Sequence, residues 1–128
     1  MTSLLPNSRR PDVSFYPDGR IDITARIAKM LKLQSGDVID VAAHYGEYLL
    51  YVRLRASECV GRHEAQVYPT KKGKRPSHNF RAYSHSLNHE LLKVVYGKSS
   101  LAARLPAGTP VTFGIYGIAV PIITSSPL

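Results

Sequence analysis

Hydrophobic and polar positions alternate from residue 13 onwards, and the period of this pattern changes along the chain. Apolar residues recur at every second position over 13–15 and 21–23, which is typical of half-buried strands. The intervening Pro17-Asp18-Gly19 favours a tight turn, because proline fixes φ and glycine accepts positive φ. The pattern therefore predicts two short strands joined by a turn.

A short helix and a hairpin are predicted next. Thr24 can cap the helix, because its hydroxyl can accept a free N–H of the first turn. Apolar residues over 25–33 recur at helical spacing while lysine and arginine face outward, and Ser35-Gly36-Asp37 ends the pattern. Alternating residues over 39–43 and 48–54 flank a glycine-containing turn, which is the signature of a β-hairpin.

The second half resumes this order after an interruption. Glycine and proline break the pattern over 57–79, so this lysine-rich segment is predicted to be an exposed loop. A strand over 80–83 leads to a helix over 85–96, which Ser84 can cap and Gly97 can end.

Two further strands are predicted at the end of the chain. A linker over 98–107 precedes alternating residues over 111–115 and 118–122, with a turn at Tyr116-Gly117. Because proline has no N–H to donate to a ladder, Pro121 predicts that the last strand lies at a sheet edge or ends irregularly.

Both halves thus have the order strand, hydroxyl cap, helix, glycine turn, strand, turn, strand. The interval from cap to glycine is longer in the second half, where Ser84 to Gly108 replaces Thr24 to Gly36. We interpret the order either as a divergent internal duplication or as a chance recurrence of a common β-α-β-β order. Both interpretations give a mainly β protein with two short helices, an α+β fold.

The first copy contains a specific set of motifs over about residues 13–55. These are Gly19-Arg20 at the start of an alternating strand, a short helix with Ile27 and Leu31, and Leu33-Gln34-Ser35-Gly36-Asp37 before the final hairpin. In this respect the segment resembles the AbrB/SpoVT-type domain. One position differs, because members of that family usually have proline at the helix start, where this chain has Thr24.

The resemblance implies a swapped-hairpin, AbrB-like β-barrel, which the family normally builds from two identical subunits. One unit is too short to bury its own sheet, so the second copy is expected to complete a pseudo-dimer within the chain. Further association into a homo-oligomer is left open. The expected organisation is a flexible tail over 1–12, a first unit over 13–56, a basic loop over 57–79 and a second unit over 80–124, with 13–124 forming one compact domain.

AbrB-like domains are typically DNA-binding transcription regulators or antitoxin modules, so the resemblance also implies DNA binding. Arg20 matches the family arginine beside the first strands. Lys29 matches a basic position on the helix.

The charge distribution supports the same class of partner independently. The net charge is +8, and residues 65–128 contain eight lysines and arginines against Glu90 alone. Such a surplus attracts nucleic acid, acidic proteins or anionic membranes. The Lys71–Arg75 run is shorter than typical lipid-binding clusters and has no amphipathic helix beside it, so no membrane partner is predicted.

Basic and aromatic residues interleave over 62–83, where cations can neutralise phosphates and rings can stack on bases. The sequence therefore predicts a nucleic-acid-binding protein, with DNA favoured over RNA, that acts through phosphate contacts. The predicted binding residues are Arg20, Lys29, Lys71, Lys72, Lys74, Arg75 and Arg81. The alternative is a non-enzymatic protein–protein assembly module whose basic surface serves solubility or an acidic protein partner.

Metal and enzyme chemistry are weaker interpretations. His85 and His89 lie four residues apart on a predicted helix, and Cys59 and His63 have the same spacing, but the close cysteine pair of strong zinc motifs is missing. The sequence has no nucleophile motif and no phosphate-binding glycine loop. We therefore predict no metal site, no cofactor and no enzymatic activity.

Cysteine content and hydropathy bear on location. Cys59 is the only cysteine, so no internal disulfide can form. The first twelve residues lack the apolar run of a signal peptide, and no stretch reaches the length of a membrane span. A cytoplasmic location is the expectation.

Overall fold

The computed structural model describes residues 11–73, 75–125 and 127–128, without the side chains of Lys72 and Pro76. The described residues form nine strands and two α-helices. The strands are β1 (Val13–Phe15), β2 (Arg20–Ile23), β3 (Val38–His44), β4 (Glu47–Leu54), β5 (Tyr68–Lys72), β6 (Arg75–Tyr83), β7 (Ala103–Leu105), β8 (Val111–Thr112) and β9 (Ile118–Ile122). The helices are α1 (Ala25–Leu31) and α2 (His85–Tyr96), with 3-10 turns at Ala56–Glu58 and Gly114–Tyr116.

The strands build two antiparallel sheets, which confirms a mainly β, α+β protein. The first sheet has the order β5-β6-β2-β1-β7, and the second has the order β3-β4-β9-β8. Outside the named strands, isolated bridges pair Val38 with Gln66 and Ala107 with Ile122. These single bridges do not make a continuous ladder, so the expectation of a closed barrel is wrong for the described residues.

One main hydrophobic core lies between the two sheets and the helices. Its largest fully buried side chains come from both sheets and both helices: Phe15, Ile21, Ile23, Ile27, Leu31, Ile39, Leu50, Leu92 and Leu105. Helix α1 packs against β6 and β9, whereas α2 packs against β1 and β2. Because strands of both halves contribute to each sheet, neither half has a complete core of its own.

The predicted β1–β2 turn is confirmed, and its glycine is sterically required. Gly19 has φ of +98°, and a Cβ there would lie 3.2 Å from the backbone nitrogen of His85 at the start of α2. Asn88 of α2 is buried and donates from Nδ2 to the carbonyls of Tyr16 and Arg20, both at 2.9 Å. The turn is therefore attached to α2 by close packing and by two side-chain hydrogen bonds.

The two helices begin with different caps. Ser84 caps α2 as predicted, since its hydroxyl accepts from the Leu87 N–H at 3.2 Å. Thr24 occupies the N-cap position of α1, but its side chain makes no cap hydrogen bond. Asn79 of β6 replaces it, because its Oδ1 accepts from the Ala25 N–H at 2.8 Å.

Glu64 extends the cap of α2. Its Oε1 accepts from the hydroxyls of Ser84 and Ser86, each at 2.6 Å. These hydroxyls hold the pKa of Glu64 below its usual value of 4.5. A carboxylate at this place also interacts favourably with the positive end of the helix dipole.

Replacing Glu64 with glutamine is expected to lower the free energy of unfolding by about 0.5 kcal/mol at pH 7, a small effect because the side chain is exposed. Since folding lowers this pKa, the contribution is complete above pH 4.5 and disappears as the pH falls through the folded-state pKa. Denaturant unfolding from pH 7 downwards measures it, with Glu90→Gln on the same helix as the control. A pH-independent difference would contradict this role.

The segment predicted as an exposed loop over 57–79 differs from expectation. Its second part forms β5 and the start of β6, and only Lys74 at the turn lies outside the described residues. The hairpin escaped prediction because lysines and prolines mask its alternation, and its pairing shifts register between Pro69 and Lys71. Asp12, which was predicted to belong to the flexible tail over 1–12, is buried and accepts from the Ala107 N–H at 2.7 Å. Residues 1–10 of that prediction lie outside the described residues.

The C-terminal segments also differ. Strand β7 lies within the predicted linker, and β8 has two residues before the chain turns into the 3-10 helix at Gly114–Tyr116. Strand β9 lies between β4 and β8, so it is not an edge strand; however, β8 pairs only with its first two residues, and Pro121 lies beyond that pairing. Outside the residues paired with β8, the carbonyl of Pro121 accepts from the Gly108 N–H at 2.8 Å. Proline fits at this position because the ladder does not need a backbone N–H from it there.

Candidate nucleic-acid interface

Two cross-strand rows of basic, aromatic and polar residues cover the first sheet on the side away from the core. In one row the register places Arg104, Ser14, Asp22, Arg81 and Tyr68 opposite one another across β7, β1, β2, β6 and β5. Their strand neighbours, such as Ile21, Ile23 and Ala82, are buried in the core, so these side chains point the other way. Within the row Ser14 is itself buried.

The second row pairs Arg20 with Tyr83. We call these two rows the outer face. It joins basic residues from both halves of the chain, because β2 and β6 are hydrogen-bonded neighbours.

Asp22 organises the centre of the outer face. Arg81 donates from Nε to Asp22 Oδ1 at 2.7 Å, and Arg20 Nε lies 3.4 Å from Asp22 Oδ2. The guanidinium of Arg20 also lies 4.0 Å from the ring centroid of Tyr16. Both predicted arginines are therefore held in place, but one carboxylate reduces the positive potential that they present.

Replacing Asp22 with asparagine is expected to tighten nucleic-acid binding about fivefold at low salt, because it removes a repulsion of about 1 kcal/mol between the carboxylate and a nearby phosphate. The asparagine oxygen can still accept a hydrogen bond from Arg81. Fluorescence anisotropy with a labelled oligonucleotide measures the change. Glu47→Gln is the matched control, because it alters the net charge equally on the second sheet. Equal tightening in both variants would contradict a local role of Asp22.

The β5–β6 hairpin carries the next group of predicted residues. Lys71 and Arg75 are exposed, and the backbone of Lys72 pairs with that of Arg75. Lys74 lies outside the described residues, as does the side chain of Lys72. Arg81 belongs to the same hairpin. The basic residues of this hairpin are therefore positioned by paired strands and not by an irregular loop.

A pocket of about 600 Å³ opens where this hairpin meets the segment before it. The basic and aromatic residues that line it are Arg62, His63, Tyr68, Lys71, Arg81 and Tyr83. Tyr68 is 50% exposed and Tyr83 is 59% exposed. The pocket thus combines three cations with two accessible aromatic rings, which extends the outer face beyond the sheet.

Lys29 lies apart from this pocket. It is exposed on α1 and lines a different groove with Arg26, Lys32 and His78. Arg81 and Arg20 are thus brought together by their shared ion-pair partner Asp22. Arg81 and Lys71 line the same pocket. Lys29, in contrast, belongs to a separate basic surface.

Two residues at or beside the outer face were not indicated by the sequence. Arg104 lies on β7, inside the predicted linker, and Tyr16 contacts Arg20 from the β1–β2 turn. The available sequence signal was the alternation of apolar Ala103 and Leu105 with Arg104. In the structure both apolar residues are buried. Three residues were too short a run to separate a strand from a loop.

The histidine and cysteine residues do not form a cluster with metal-ligand geometry. No group of three or more His, Cys, Asp or Glu side chains that could hold an ion occurs within the described ranges. The rings of His85 and His89 stack with centroids 6.4 Å apart. Cys59 points elsewhere, since its Sγ lies 3.7 Å from the carbonyl oxygen of Gly36.

None of the helices in the described part of the chain is long and apolar enough to cross a membrane. Comparison with known proteins adds no relative from which a function could be transferred. The chain matches no family model, no curated protein and no solved structure.

Proposed function

We propose that this protein binds nucleic acid without catalysing a reaction, and that the outer face with its adjoining pocket makes the contact. The observation that carries the proposal is the convergence of basic residues on one surface: Arg20, Arg62, Lys71, Arg81 and Arg104. Only Asp22 opposes them within the two described rows of the outer face. Lysine and arginine gain affinity for phosphates by displacing the counterions condensed around a nucleic acid.

We further propose that the chain is an AbrB-like pseudo-dimer, with β1, β2, α1, β3 and β4 as one unit and β5, β6, α2, β8 and β9 as the other. Exchanging the two units leaves the order β5-β6-β2-β1 and the order β3-β4-β9-β8 unchanged, which supports the proposal. Each helix also packs against strands of the opposite unit, as an intertwined pair would require. The second unit then starts at Tyr68, earlier than the expected residue 80, and β7 is an insertion within it.

The proposed biological role follows from that resemblance. AbrB-type domains typically serve as DNA-binding regulators or antitoxin modules, and Arg20 at the centre of the outer face corresponds to the family arginine. We therefore propose duplex DNA as a partner, in a regulator of AbrB or antitoxin type that acts through phosphate contacts.

A salt titration tests this function. Binding to a random duplex is expected to weaken steeply with salt, with a log–log slope of roughly −4 to −5 if four to six phosphates are neutralised. Anisotropy measured from 50 to 300 mM KCl gives the slope. A flat response, or no binding at the lowest salt concentration, would exclude the proposed function.

A second candidate function, protein–protein assembly, is favoured by exposed apolar residues in the strands and turns of the second sheet. Tyr45 and Ile115 are each 94% exposed, and Ile118 is 41% exposed. Residues 105–128 contain no charged side chain. Large apolar side chains that are exposed to solvent can serve as a contact surface for another protein.

The assembly function predicts discrete oligomers by multi-angle light scattering, which Ile115→Ser would dissociate. It also predicts unchanged assembly after Lys71→Ala and Arg75→Ala. A monomer at high protein concentration would exclude this second candidate.

A further inference from the structure

We propose that the pocket lined by Arg62, Tyr68, Lys71, Arg81 and Tyr83 binds an unpaired nucleotide, so that the protein prefers single-stranded nucleic acid or unpaired bases at this site. The inference deepens the proposed function and rests on it. It adds the chemical class of the ligand, a base that is free to stack.

The spacing of the two tyrosines supports stacking. Tyr68 lies directly opposite Arg81 across β5 and β6, and Tyr83 follows two positions later on the same face. Such diagonal neighbours have Cα atoms roughly 7–8 Å apart. Stacked bases are about 3.4 Å apart, so a base between two rings needs about twice that separation, which side chains rising from Cα atoms at this spacing can provide.

The exposure of the same rings supports a ligand. Half or more of each tyrosine is accessible to solvent, although both lie in a sheet whose opposite side builds the core. Contacts with phosphates alone require cations but no rings. In a duplex the base faces are already stacked on one another, so these rings could not reach them, whereas unpaired bases present their faces freely.

Charge and size are also suitable for a nucleotide. Arg62 and Lys71 line the pocket and carry positive charge for a phosphate, whereas Arg81 is hydrogen-bonded to Asp22. The volume of about 600 Å³ lies within the roughly 300–1,000 Å³ of small-molecule sites. A nucleoside monophosphate unit therefore fits with its base between the rings and its phosphate near the cations.

Three labelled probes of equal length separate bases from phosphates: a 12-nucleotide oligothymidylate, an abasic 12-mer with the same backbone, and a 12-base-pair duplex. The full-length protein is expected to bind oligothymidylate more tightly than the abasic strand. The double variant Tyr68→Ala, Tyr83→Ala is expected to lose about 10-fold or more in affinity for oligothymidylate, because one base–aromatic stack accounts for roughly 5- to 150-fold. Its affinity for the abasic strand and the duplex should fall by a clearly smaller factor, because the phosphate contacts of the basic residues remain.

The matched control is Tyr68→Phe, Tyr83→Phe, which keeps both rings and should keep the affinity for oligothymidylate. Thermal unfolding of each variant and of both single alanine variants verifies that the sheet is intact. Equal affinity of the native chain for oligothymidylate and the abasic strand would overturn the inference. The inference would also fail if the double alanine variant lost affinity for oligothymidylate and for the abasic strand by the same factor. In either case retained, salt-dependent duplex binding would leave the proposed function standing, whereas failure of all three probes to bind at low salt would refute both.

Discussion

Replacing Asp37 with alanine is expected to lower the free energy of unfolding by about 3 kcal/mol. Asp37 is buried and accepts hydrogen bonds from the backbone N–H groups of Gln34 and Ala56, both at 2.8 Å. It also accepts from Arg55 Nη1 at 3.1 Å. Alanine would leave two backbone donors and one cation without this acceptor, in a segment that joins α1 to the second sheet.

Urea or guanidinium unfolding followed by circular dichroism measures this loss. Glu47→Ala, which removes an exposed carboxylate from β4, serves as the control and should change stability by less than about 0.5 kcal/mol. If Asp37→Ala were as stable as this control, the carboxylate would not organise the turn. Asp37→Asn should lie between the two, because one oxygen remains to accept from Ala56.

Reversing two charges on the β5–β6 hairpin is expected to have the largest effect on binding. The double variant Lys71→Glu, Arg75→Glu should lower the affinity for duplex DNA about 100-fold at 50 mM salt. Two phosphate contacts disappear, and each contributes nearly one unit to the log–log salt slope. The slope itself should become shallower by roughly 2.

The matched control is Lys93→Glu, Lys98→Glu, which changes the net charge equally near the C-terminal end of α2. A long-range effect of net charge alone would weaken both double variants by the same factor. Such an equal loss would contradict a localised interface, whereas a loss confined to the hairpin variant is the expected result. Anisotropy at two salt concentrations provides both the affinities and the slopes.

The elements that the sequence predicted well are those with local signals. Strands β1 and β2 were indicated by alternation around a glycine turn, and α2 by a serine cap, helical spacing and a terminal glycine. The β3–β4 hairpin likewise needs only neighbours in the chain. Capping, turn geometry and periodicity act over a few residues, so a single sequence contains enough information for them.

Elements that depend on distant partners were missed or misplaced. Strand β7 exists because Leu105 pairs with Val13, and α1 is capped by Asn79, which lies 54 positions further along the chain. The β5–β6 hairpin is rich in lysine and proline, so its hydrophobic pattern was too weak to distinguish it from a loop. Tertiary pairing, and not local preference, decides these segments.

The candidate interface was predicted only in part, for the same reason. The sequence indicated Arg20, Arg81 and Lys71, but their grouping depends on the pairing of β2 with β6 and of β6 with β5. The ion pairs of Asp22 with Arg20 and Arg81 could not be foreseen, because Arg81 is 59 positions away. Lys29 shows the converse, since its helix carries it to a separate groove.

We propose above all that nucleic acid binds at the outer face and its pocket. The most direct measurement is a ¹H–¹⁵N chemical-shift titration of the protein with a 12-nucleotide single strand and with a 12-base-pair duplex. We expect the largest shifts at Arg20, Tyr68, Lys71, Arg81 and Tyr83. Shifts concentrated at Tyr45, Ile115 and Ile118 on the second sheet, or spread evenly over the surface, would contradict the claim.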